Sequence, residues 1–107
     1  LLIFLQAIFY RIIEEDIVSN PYAAFPGHVN ITYSELIPDS SMPGGSKVIV
    51  SFKHPTVHGF TEAQFSLPDY QLLSNSGLSV HQLERAEEVL KRNGEEIFSA
   101  AKAKAGE

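Results

Sequence analysis

Lys47-Val-Ile-Val-Ser-Phe-Lys-His54 alternates apolar and polar side chains, and its reading decides the fold. In an extended chain Val48, Val50 and Phe52 share one face. The other face holds Lys47, Ser51 and Lys53, with Ile49 nearly alone among them. One side buried and one side wet is the pattern of an antiparallel strand. Upstream, Asn30–Ile37 (NITYSELI) sets Ile31 and Tyr33 on one side and reads as a second strand, stopped by Pro38. Between the two, PDSSMPGGS (38–46) is polar and glycine-rich and reads as a long hairpin loop. Downstream, PTVHG (55–59) is a turn, and Phe60–Leu67 (FTEAQFSL) is a third strand of mixed pattern. Three strands in sequence order predict a meander. Residues 19–29 (SNPYAAFPGHV), with two prolines and a glycine, read as a connecting loop.

The second half of the chain predicts helices. Ser66 and Asp69 around Pro68 form a helix-start pattern, and Gly77 stands where a short helix, DYQLLSNS, would end. A longer helix begins at Ser79, which forms a capping box with Gln82, while Leu78 staples onto Leu83. Its apolar stripe is Leu83, Ala86, Leu90, Ile97 and Ala101. Glu87 with Lys91 and Glu88 with Arg92 are i,i+4 pairs in the favourable order, a solvated face. At Asn93-Gly94 two outcomes stay open, a break or a continuous helix weakened by about 1 kcal/mol. Residues 102–107 are expected to fray.

The chain opens on LLIFLQAIFYRII (1–13), followed by Glu14, Glu15 and Asp16. As a helix over 1–18, it lines Leu1, Leu5, Ile8 and Ile12 on one stripe. The opposite side carries Gln6 and Arg11 but also Ile3, Phe4, Ala7 and Tyr10, so two sides prefer to leave water. Thirteen helical residues reach about 20 Å, short of the roughly 30 Å of a hydrocarbon core. A membrane anchor would therefore need the apolar run to extend before Leu1. The expected fold is a small single α+β domain over 1–107 in the order α-β-β-β-α-α. An apolar helix at 1–18 precedes a three-stranded antiparallel meander at 30–67 and helices at 67–104, with helices packed on one face of the sheet.

A length of 107 residues suits one domain, and 44% hydrophobic with 20% charged residues is a globular balance. Eight Lys+Arg against thirteen Asp+Glu give a net charge of −5, which argues against a nucleic-acid partner. With no cysteine there is no disulfide framework, no thiolate zinc site and no cysteine nucleophile, and a cytoplasmic setting fits.

Few residues suggest chemistry. His54 and His58, with Glu62 after them, have the residue types of a metal triad. The i,i+4 spacing converges on a helix, however, and Pro55 and Gly59 disfavour one, so exposed turn histidines are the plainer reading. His28 and His81 lie elsewhere. Pro43-Gly-Gly-Ser-Lys47 has the vocabulary of a phosphate cradle but leads into a strand with the wrong spacing. Ser, His and Asp occur without a GxSxG elbow. Asn30-Ile31-Thr32 matches a glycosylation acceptor but falls in a predicted strand. No cofactor or metal is expected.

These readings favour a non-enzymatic protein–protein interaction module, most simply a homodimer. A domain this small struggles to cover a helix that is apolar on both sides, so Ile3, Phe4, Ala7 and Tyr10 are the candidate partner-binding residues. The alternatives are a membrane-proximal domain with a truncated apolar anchor, or a histidine- and metal-dependent enzyme using His54, His58 and Glu62.

Overall fold

A computed structural model describes residues 19–24 and 29–106. The strands are β1 (Ser19–Ala24), β2 (Asn30–Ser34), β3 (Ile37–Pro38), β4 (Ser46–Thr56), β5 (Gly59–Leu67) and β6 (Gln71–Ser76), and one helix, α1 (Val80–Ala105), follows them. They form one antiparallel sheet in the order β1-β2-β4-β5-β6, with the two-residue β3 pairing beside the start of β4. The register sets Tyr33 and Phe65 against Val50, Ile31 and Ala63 against Phe52, and Leu67 against Val48. All of these side chains are buried on one face, where α1 packs with Ala86, Leu90, Ile97 and Ala101. Phe52 and Phe65 meet edge to face, ring centroids 5.6 Å apart. Burial of Leu90 or Ile97 contributes about 1.5–3 kcal/mol each. No helix among the described residues is long and apolar enough to cross a membrane.

Six strands and, among the described residues, one α-helix after them overturn the expected α-β-β-β-α-α order with three strands. The β4 and β5 strands and the helix from Val80 are where the pattern places them. The strand expected over 30–37 is divided into β2 and β3, with Pro38 paired inside β3, and two further segments are strands. Residues 19–24 read as a loop because of Pro21, yet they form an edge strand, where one face of the ladder is unpaired and proline is tolerated. A register shift between Pro21 and Ala23 leaves Tyr22 bulged. Residues 71–76 are β6 and not a short helix. Their local signals are real but serve a hairpin. Ser66 Oγ donates to Asp69 Oδ1 at 2.6 Å across the β5–β6 connection. Gly77 adopts φ +100°, and a Cβ there would stand 2.5 Å from the Thr61 methyl. The glycine was needed, but it ends a strand. The apolar helix expected at 1–18, with Ile3, Phe4, Ala7 and Tyr10, lies outside the described residues.

Local contacts hold the frame. Asn75 clamps Leu78 from both sides, its Nδ2 donating to Leu78 O at 3.0 Å and its Oδ1 accepting from Leu78 N at 2.9 Å. This fixes the angle at which the chain turns from β6 into α1. The Ser79 box then closes, Ser79 N to Gln82 Oε1 at 2.9 Å and Gln82 N to Ser79 Oγ at 3.1 Å. Where β2 ends, the buried Ser34 hydroxyl accepts from Ile49 N at 2.9 Å and donates to Glu35 O at 2.8 Å, so its side chain extends the ladder. In the hairpin loop, the Asp39 carboxylate accepts from Ser41 N and Oγ and lies 3.2 Å from Lys47 Nζ. The Ser41 hydrogen bonds, then Lys47, hold that carboxyl below its usual range. Lys47 is thus the ion partner of its own loop, which leads into β4.

Helix α1 runs unbroken through Asn93-Gly94. Gly94 faces the sheet, and the Tyr70 ring lies against the helix there, two of its carbons 2.9 Å from where a Cβ would stand. Tyr70 itself takes a left-handed φ of 58° in the β5–β6 connection. The helix survives its glycine because that glycine makes room for a packed ring.

Candidate functional site

The first half of α1 does not close fully on the sheet. Between them lies an open cleft of about 500 Å³, within the usual range for small-molecule sites. Ile31 and Phe52, from adjacent strands in register, form its floor with Ala86 from the helix, and Val29 and Val89 wall it. Its polar lining is His54 from the end of β4 and His81, Gln82 and Arg85 from the first turns of α1. The cleft is therefore apolar inside with nitrogen-bearing side chains on its rim.

Two sequence features produce this arrangement. The period-2 alternation that buries Val48, Val50 and Phe52 carries one step further to His54, which puts that imidazole on the helix side of the sheet. On the helix, His81, Arg85 and Val89 succeed one another at i,i+4 and border the core stripe through Gln82 and Ala86. The first turn contains no acidic residue, and Arg85, one turn further on, is the cationic side chain of the cleft. Among the described residues no carboxylate lines the cleft. Among the described residues the ion pair is Lys47–Asp39, and none involves Arg85. Gln82 keeps its amide NH₂ as a donor, since Oε1 is committed to the cap.

The three residues considered for a metal do not meet. Thr61 faces His54 across the β4–β5 ladder and Lys53 faces Glu62, so alternation sends His54 and Glu62 to opposite faces of the sheet. His58 occupies the two-residue turn between Thr56 and Gly59, exposed. No group of three His, Cys, Asp or Glu side chains converges among the described residues. Glu62 instead shares the outer face with Lys53, whose Nζ lies 5.1 Å from the centre of the Phe60 ring. The histidine that His54 does approach is His81, twenty-seven positions away and invisible to any local spacing rule.

A second surface is the free edge of β6. Every residue of QLLSNS is exposed, and the strand carries neither charge nor proline. Tyr70, Leu72 and Leu73 are 37%, 45% and 48% exposed. Both edge strands carry a bulge, β1 at Tyr22 and β6 at Leu73, and β1 carries Pro21 as well. Comparison with family models, curated proteins and solved structures finds no match for this chain.

Proposed function

We propose that this chain is a non-enzymatic interaction module that self-associates, and that β6 is a pairing edge for a second copy. The observation that carries the reading is that, among the described residues, β6 is an edge strand without charge or proline, with Leu72 and Leu73 about half exposed. An edge strand without charge or proline is a template for another strand. Two β6 strands related by a two-fold axis run antiparallel, as the rest of this sheet does, and a two-fold contact closes on itself without forming fibres. The apolar 1–13 segment, through Ile3, Phe4, Ala7 and Tyr10, offers a second contact for the same assembly.

Light scattering over a range of concentrations tests this. The expected mass is twice 11.8 kDa for the native chain, and the single-chain mass for a Leu72→Lys, Leu73→Lys variant. Both leucines are half exposed, so the lysines leave the fold intact by circular dichroism. A single-chain mass at all concentrations overturns self-association. A dimer that survives both lysines but dissociates in Phe4→Glu assigns the contact to the apolar segment and removes β6 from it.

A further inference from the structure

We infer that the cleft between α1 and the β2–β4 end of the sheet binds an amphipathic carboxylate of the medium-chain fatty-acid type. Its apolar chain would lie against Val29 and Val89, and its carboxylate at Arg85 and His81. The inference does not depend on self-association, because the cleft and the β6 edge share no residue.

Three observations converge on that ligand class. The cleft has room for a small molecule, and its apolar surface comes from the half-buried Val29 and Val89 above a floor of core side chains, so an apolar body gains by covering the two valines. Its charge is one-sided. Arg85 is cationic, His54 and His81 offer imidazole N–H donors, and among the described residues no acidic side chain lines the walls. The first turn of α1 adds the positive end of a helix dipole without the acidic residue that commonly answers it. An anion seated there is favoured by that dipole and by the guanidinium of Arg85. A carboxylate fits because the guanidinium of Arg85 presents a planar fork that matches its two oxygens. The chain as a whole carries −5, so this basic rim is a local feature against an acidic background. Affinity for an anion must come from short-range contacts and not from long-range steering.

The experiment uses three ligands of equal chain length, decanoate, decanol and decylammonium, each kept below its micelle-forming concentration. Each is titrated into the full chain and followed by backbone amide NMR shifts. Decanoate is expected to saturate at one equivalent, with the largest shifts at residues 29–31, 52–54 and 81–89. Decanol and decylammonium are expected to bind about tenfold or more weakly, the scale of a lost charge-assisted hydrogen bond. Arg85→Glu should weaken decanoate by at least the same factor while leaving decanol unchanged. His81→Gln, which also sits on an exposed side chain, provides the second variant should Arg85→Glu disturb folding. Equal affinity for all three ligands overturns the carboxylate assignment. So does indifference of decanoate to both variants, and shifts confined to other surfaces, or no saturable binding, overturn the site itself.

Discussion

Gly94 shows how one residue reverses its ordinary meaning. In a solvent-facing helix, replacing glycine with alanine gains about 1 kcal/mol, because glycine has more backbone freedom to lose. Here the Cβ would meet the Tyr70 ring, so the helical gain is set against a displaced aromatic contact. Gly94→Ala is therefore expected to destabilise the native chain but to stabilise a Tyr70→Ala chain by about 1 kcal/mol, as read from urea denaturation of the four members of the cycle. Equal effects in both backgrounds would mean that the ring does not demand the glycine. Tyr70 adds a positive φ to this contact, and its segment was read as helical. No local rule links position 70 to position 94, so the sequence left the joint open between break and continuity.

At the scale of elements, α1 and the β5–β6 hairpin illustrate two kinds of legibility. The start of α1 is written locally: Ser79, Gln82 and Leu78 lie within four residues, and the capping box forms as its spacing implies. Ser79→Ala removes the acceptor for Gln82 N and is expected to cost about 1 kcal/mol, measurable as a lowered urea midpoint with unchanged slope. A change in slope would instead show that the cap shapes the whole transition. The hairpin is different. Ser66, Pro68, Asp69 and Gly77 are helix punctuation and turn punctuation alike, and only the presence of β5 decides between them. Residues 71–76 become a strand because β5 supplies hydrogen-bond partners along Glu62–Ser66. His54 belongs to this scale too, since the alternation of β4, carried one residue further, places it on the helix side of the sheet.

For the molecule as a whole, Tyr22 ties its two ends together. From the bulge in β1 its hydroxyl lies 3.0 Å from Asn93 Oδ1 and 3.0 Å from Glu96 Oε1, both on α1. Its single proton serves one of them at a time. Asn93 is oriented for this, since its Nδ2 donates to Val89 O at 2.8 Å. The ring also meets Tyr33 edge to face, centroids 6.5 Å apart. Burial, then the hydrogen bond and the charge of Glu96, raise the Tyr22 phenol above its usual value of 10.0. A group whose pKa is raised by folding contributes fully below its unfolded pKa, and that contribution disappears as the pH climbs through the folded value. Tyr22→Phe keeps the ring contact and is expected to cost about 1 kcal/mol at neutral pH. The gap between wild type and variant should narrow above pH 10, as followed by denaturation from pH 7 to pH 11. A gap independent of pH would show that ionisation of the phenol is not coupled to folding.

The sequence by itself determined the strands at the centre of the sheet, the capped start of α1 and its apolar stripe, because each rests on alternation, period or a contact within four residues. The tertiary structure decided the edges and the cleft. A segment such as SNPYAA or QLLSNS has too little intrinsic preference to choose a conformation, and it takes the one that a neighbouring strand offers. His54, His81 and Arg85 come together only when the sheet and helix pack, since the positions that form the cleft are separated along the chain by an entire hairpin.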